Sequence, residues 1–278
     1  MRRRHFTQRT FVIGFGLVLI VAAMALLAPW VAPHDPAAQS TKARLLPPVL
    51  LGGTLEHPLG TDPLGRDLLS RIIYGSRISI LLGLASVLGA GTIGLILGAV
   101  AGYVGGKVDA VIMRLVDLQM AIPFLVLALA VLAALGPGLT NLVLVLVITG
   151  WVVYARVMRA QVMAVKGREY VAAARALGVP HWRILLKHVL PAAIPPLTVI
   201  STVQVGTMIL TEASLSFLGL GVPPSIPTWG SIAADGRAYM TTAWWVTTLP
   251  GLAIFLTVMG VNFLGDWLRD LLDPTLRQ

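Results

Sequence analysis

The sequence predicts an all-α membrane protein with six transmembrane helices and a helical elbow on the cytoplasmic side. Three observations carry that expectation. Hydrophobic residues fill 56% of the 278 positions and charged residues only 12%, about half the charged share of a soluble domain. Too little polar surface remains to cover a water-soluble globule. Six apolar segments approach the ~20 residues that cross a bilayer. The lysines and arginines, finally, fall unevenly between those segments.

The first segment, Phe11–Val31, carries no charge and follows Arg2, Arg3, Arg4 and Arg9. It exceeds the ~7–15 residues of a signal-peptide core, so it is expected as a retained span, although small residues such as Ala22, Ala23 and Ala25 would suit a cleavage site. The other segments are Ile78–Val104, Leu118–Leu135, Leu139–Ala155, Ile194–Leu215 and Ala243–Leu264. Gly136-Pro137-Gly138 reads as a tight turn that makes the third and fourth a helical hairpin. In the second, Gly94, Gly98 and Gly102 recur on one helix face and permit close approach of another helix. Packing within the chain and packing against a partner subunit both fit.

Topology explains the net charge of +9 without nucleic acid. With the N-terminus inside, the cytoplasmic segments hold 15 of the 21 Lys and Arg, seven of them between Arg156 and Lys187. The bias places both termini in the cytoplasm. Cysteine is absent, which excludes disulfides, thiolate zinc sites and thiol catalysis. No phosphate-binding loop is present, because Gly106-Lys107 is followed by Val108 and preceded by Ala101 at the first glycine position. Neither HExxH nor GxSxG occurs. The histidines His5, His34, His57, His181 and His188 are scattered. No catalytic residue, cofactor or metal site is assigned, and the chain is expected not to be an enzyme.

Two connections exceed ordinary length. The outer one runs from Ala32 to about Arg77. Thr61-Asp62-Pro63 reads as a helix start, Arg66 and Asp67 are adjacent ions, and Leu68, Leu69, Ile72 and Ile73 form an apolar face opposite Arg71. A short surface helix before the second span is expected. It either positions that span or meets another protein outside the membrane. Farther on, Pro223 to Trp229 reads as a rigid turn with an aromatic at the membrane interface, where Trp244 and Trp245 also fit.

The inner connection, 156–191, contains EYVAAARALGVPHWRILLKHVLP from Glu169 to Pro191. Glu169–Leu177 suits a helix, Gly178 can close it, Pro180 can open a second, and Pro191 perturbs the start of the fifth span. Tyr170, Ala173, Ala174 and Leu177 share one face. A basic amphipathic surface helix and a protein-docking elbow both fit this pattern. Within the spans, Glu212 is a charge that hydrocarbon disfavours; a structural or gating role beside Ser214 and Ser216 and direct solute contact are both open. Asp117 can pair with Arg114 one helical turn away.

This inner segment resembles the coupling loop of ABC importer permeases. The family's Glu-Ala-Ala triplet falls on Ala172, Ala173 and Ala174, its glycine on Gly178, and its Ile-x-Leu-Pro on His188, Val189, Leu190 and Pro191. Spacing is intact, but Ala172 replaces the glutamate and His188 the isoleucine. HPLGTDPLGRDLLSRIIYGSRISI from His57, MRLVDLQMAIPFLVLALA from Met113 and EASLSFLGLGVPPSIPTWG from Glu212 are similar to the C-type permeases of the peptide and nickel branch.

The resemblance implies the type I importer fold. Residues 1–77 would form the tail, first helix and outer loop, and 78–278 a permease core. It implies a second homologous permease, two ATP-binding subunits, an extracytoplasmic substrate-binding protein, and a location in the cytoplasmic membrane, bathed by lipid. Di- or oligopeptides are the expected cargo, with nickel or another small solute as the alternative. The lack of clustered His or Met favours peptides. An ion-driven secondary transporter is a remoter reading, because internal repeats and several embedded charges are missing.

Overall fold

The computed structural model describes residues 2–272, with side chains from Thr10 onward. Arg277 and the side chains of Arg2, Arg3, Arg4, His5 and Arg9 therefore lie outside the described residues. Among those described, no strand occurs; an isolated bridge pairs Thr61 with Asp67. The helices are α1 (Arg2–Val31), α2 (Leu68–Val104), α3 (Gly106–Ala121), α4 (Phe124–Leu135), α5 (Leu139–Lys166), α6 (Glu169–Ala176), α7 (His181–Ile184), α8 (Leu190–Ala193), α9 (Pro195–Phe217), α10 (Trp229–Asp235) and α11 (Trp245–Leu272).

Four helices, α1 from Thr10, α2, α5 and α11, are long and apolar enough to span a membrane alone. The count reaches six if two bent pairs each make one span. The first pair is α3 and α4, bent by 93° at Ile122-Pro123. A straight third span over Leu118–Leu135 is thus not what forms. Pro123 forces its predecessor out of the α region, and Ile122 is extended. Alone, the 12 residues of α4 reach about 18 Å, short of the hydrocarbon core.

The second bend, 53°, lies between His181–Ala193 and Pro195–Phe217. It falls at the Pro195-Pro196 pair rather than at Pro191. Pro191 acts one turn earlier. It has no N–H to donate, and residues Leu185–Val189 widen into a π turn in which the Leu190 N–H reaches Leu185 O.

The most extensive helix pairing is α2 against α5. The glycine stripe makes it possible. A Cβ on Gly94 would lie 2.4 Å from Tyr154 Cβ, and one on Gly98 would lie 2.4 Å from Ala155 O. The stripe therefore serves packing within the chain. Leu82, Ala90, Leu146, Tyr154 and Met158 build the core around it. Gly136 and Gly138 turn α4 back onto α5, and Asn141 Nδ2 donates to the carbonyls of Leu135 and Gly136, so the expected hairpin forms.

At the end of the bundle where α2 begins, α10 is wedged between α9, α11 and α2. Trp229 lies fully buried, not at a lipid interface. Its indole N–H donates to Ile72 O at 3.0 Å, and its backbone N–H to Ser79 Oγ. Trp245 is likewise buried, while Trp244 is half exposed. Thr228 and Ser231 cap α10 reciprocally.

Candidate functional site

The residues singled out by the sequence gather at opposite ends of the bundle. One group surrounds the α6–α7 elbow and the other the beginning of α2.

At the elbow, α6 ends as a glycine-closed helix. Gly178 has φ +79°, a conformation that costs other residues about 1–2 kcal/mol. Its N–H donates to Arg175 O, and the Val179 N–H reaches back to Ala174 O at 3.2 Å. This is the Schellman pattern, which satisfies the last carbonyls of α6. Pro180 precedes α7 and fixes its start. The expected apolar face is divided between two environments. Ala174, with Val171, Ile184 and Val189, is buried against the bundle. Tyr170, Ala172, Ala173 and Leu177 face outward, and Leu177 is 84% exposed. Trp182 and Leu186 extend this uncovered surface.

The elbow is braced from below. The Tyr170 hydroxyl donates to His188 O at 3.2 Å. Lys166 Nζ donates to Tyr103 O and lies over the Tyr103 ring. The Tyr103 hydroxyl lies 3.2 Å from His181 Nδ1. Arg159 grips Asp109 with two bonds of 2.5 Å, tying α5 to α3. Leu190 is half-buried and Pro191 exposed at the foot of the elbow. Asp117 pairs with Arg156 on α5 at 2.7 Å, not with Arg114. Both partners of that pair are about half exposed, so it contributes little to stability.

At the opposite end, no separate surface helix precedes the second span. The segment from Leu68 forms the first turns of α2 itself. The cap is Asp67, whose Oδ2 accepts from the Ser70 N–H and hydroxyl, rather than the Thr61-Asp62 pair expected from sequence. Asp62 instead organises a turn, with Oδ1 accepting from Leu64 N and Arg66 N. Its Oδ2 accepts from Arg66 Nε at 2.5 Å and from Arg71 Nη1. Both guanidinium groups also reach Asp235 on α10, at 2.7 and 2.9 Å. Asp62, Arg66 and Arg71 are buried, so Arg71 points into the structure rather than away from the apolar face. Two cations against two carboxylates make the cluster neutral, as burial requires.

Beside this cluster, the loop between α1 and α2 brings together residues far apart in sequence. His57 Nδ1 lies 2.9 Å from Asp67 Oδ1, and the His34 and His57 rings are 4.9 Å apart. The separation along the chain concealed this grouping.

Glu212 is fully buried near the end of α9. Its Oε1 accepts from Ser216 Oγ at 2.7 Å. Gly221 folds back against Ser216, where a Cβ would come within 1.9 Å of that hydroxyl. α9 ends as α6 does: Gly219 has φ +82°, and Leu220 N–H returns to Leu215 O. Ser214 lies on the exposed side, its hydroxyl donating to Leu210 O. Glu212 and Ser214 thus face different surroundings.

The described residues thus form a bundle of helices long and apolar enough to cross a membrane, with an exposed elbow closed by Gly178. The chain belongs to the family described as binding-protein-dependent transport system inner membrane component, which it matches over residues 94–278. Residues 1–48 match the N-terminal transmembrane domain of oligopeptide transport permease C. The chain is accordingly a permease subunit, not an enzyme. It is 46% identical to the di/tripeptide transport system permease protein of Pseudomonas aeruginosa, over 95% of this chain and 88% of that protein. Identity to the dipeptide transport system permease protein of Haemophilus influenzae is 42%, covering 99% and 94%. Among solved structures, an inward-facing form of the MetNI methionine ABC transporter has a TM-score of 0.63 at 20% identity, covering 74% of this chain and 98% of that chain.

Proposed function

We propose that this chain forms half of the translocation path of an ATP-driven importer for di- or oligopeptides. The elbow carries the reading. A helix pair closed by Gly178, buried on its inner face through Val171 and Ala174 and bare on its outer face at Leu177, is the surface expected of a docking element whose partner is another chain. That partner is one of two ATP-binding subunits. A second, homologous permease completes the path, and an extracytoplasmic binding protein delivers the solute. The fold of the methionine transporter supports the architecture, and the dipeptide relatives support the cargo. In this reading the chain makes six passes through the cytoplasmic membrane with both termini inside, each bent pair counting as one pass. Residues 156–191 then lie on the ATPase side, and Asp62, Arg66 and Asp67 on the side of the binding protein. Glu212 and Ser216 hold the segment after α9 in place, and Ser214 is the member of that group directed toward the path.

The mechanism follows from the elbow's bracing. Movement of a docked ATPase subunit would be transmitted through Ile184, Val189 and the Tyr170–His188 hydrogen bond into α9. Packed helices move as bodies rather than deform continuously. The test is Gly178→Pro, because proline fixes φ near −65° where the elbow has +79°. ATP hydrolysis by the assembled transporter should persist while peptide uptake falls at least about ten-fold. Tightly coupled uptake in that variant would overturn the assignment of the elbow.

A further inference from the structure

The geometry points to a divalent-metal site formed by His34, His57 and Asp67 at the outer end of the bundle, of the borderline class to which Zn²⁺ belongs. One ligand atom from each residue lies within 4.8 Å of the other two. A tetrahedral zinc ion with bonds of 2.0–2.2 Å holds its ligand atoms roughly 3.4 Å apart. The observed separations bracket that value. His57 Nδ1 is 2.9 Å from Asp67 Oδ1, and His34 Nδ1 is 3.9 Å from Asp67 Oδ2. Small side-chain rotations would place all three around one ion, leaving a fourth position for solvent.

Two further observations favour a ligand over a plain hydrogen-bonded cluster. His34 Nδ1 is buried and has no hydrogen-bond partner, an arrangement that native structures rarely leave unexplained. The carboxylate is also already oriented. Ser70 donates its N–H and hydroxyl to Asp67 Oδ2, and the same hydroxyl accepts from the His34 backbone N–H at 3.0 Å. One serine thus fixes the carboxylate and the chain at His34, the supporting arrangement that tunes metal ligands. Two imidazoles with one carboxylate suit zinc, nickel or cobalt rather than calcium or magnesium. The three ligands come from the loop just past α1, its later part near His57, and the cap of α2. An ion there would clip the outer loop to both helices.

The experiment uses the full chain purified in detergent, with any affinity tag removed and metals stripped by a chelator. Zn²⁺ titration should give one ion per chain, and Co²⁺ should give the visible absorption of a four-coordinate site. His34→Gln, His57→Gln and Asp67→Asn should each weaken Zn²⁺ binding by about ten-fold or more, and Asp67→Asn retains a side-chain acceptor for the helix cap. Zn²⁺ should raise the melting temperature of the native chain but not that of His34→Gln, whose metal-free melting should be unchanged. Absence of Zn²⁺ binding at micromolar concentration, or native affinity in His34→Gln, would overturn the site.

Discussion

The charged cluster where α2 begins and the elbow where α5 ends handle exposure in opposite ways. Where α2 begins, charges are buried and paired: Asp62, Arg66 and Arg71 are sealed inside and linked to Asp235 on α10. Where α5 ends, apolar side chains lie open: Leu177, Trp182 and Leu186 are uncovered on a short elbow. At the first end the charges of the cluster are matched within the chain. The second leaves apolar surface without a cover in this chain, which fits a surface that another subunit occupies. The closing device is nevertheless shared, since α6 and α9 both end in a glycine-centred Schellman turn. The difference lies in what each turn supports. Behind Gly219 the chain folds back onto Ser216 and α10. Beside Gly178, Leu177 and Trp182 stay uncovered; at the glycines themselves the two turns are alike, since a Cβ on either would meet nothing within 4 Å.

The largest test of this contrast is Asp62→Ala. It would leave two buried guanidinium groups facing the partly exposed Asp235 alone. Removing one partner of a buried ionic cluster costs about 3–5 kcal/mol. A lower melting temperature and a poor yield of folded chain are expected in detergent. A cost under about 1 kcal/mol would show that the cluster is well hydrated and erase the difference between the ends.

Glu212→Gln probes the same end more gently. The amide keeps an oxygen for the Ser216 hydroxyl and substitutes a donor for the other carboxylate oxygen. Neighbouring hydroxyls can reorient toward it, so a stability loss of about 1 kcal/mol is expected, with normal membrane insertion. Uptake should nonetheless fall if Glu212, through its bond to Ser216, helps hold Gly221 and the segment after α9 in place. Uptake equal to that of the native chain would remove Glu212 from the mechanism.

Local chemistry made much of the elbow legible in the sequence. Gly178 and Pro180 marked its turn because backbone conformation at such positions depends on residue type alone. The same holds for the Gly136-Pro137-Gly138 turn and for the long apolar segments. Features decided by tertiary partners were not legible. Arg71 looked solvent-facing by helical spacing, yet it pairs with Asp62 and Asp235. Trp229 looked like an interface aromatic, yet Ile72 O and Ser79, about 150 positions earlier, provide its hydrogen bonds. The glycine stripe announced a close helix contact without naming its partner, α5. His34 and His57 converge only once the loop between α1 and α2 folds. Proline was informative about breaks but not about which proline bends the chain most, since Pro123 and the Pro195-Pro196 pair outweigh Pro191.

The smallest stability effect, and the sharpest separation of folding from function, belongs to Leu177→Asp. Leu177 is 84% exposed and lies just before the closing glycine, so no core contact is lost. Surface substitutions of this kind change stability by less than about 0.5 kcal/mol. A carboxylate near the C-terminus of α6 opposes the helix dipole slightly, within that same range. If the elbow docks an ATPase subunit, however, the aspartate places a charge in an apolar contact and should weaken the complex by about ten-fold or more. Co-purification of the ATPase subunits with the variant, beside an unchanged melting curve of the chain, separates the two effects. Native recovery of the subunits would place the docking surface elsewhere and leave Leu177 an ordinary exposed residue.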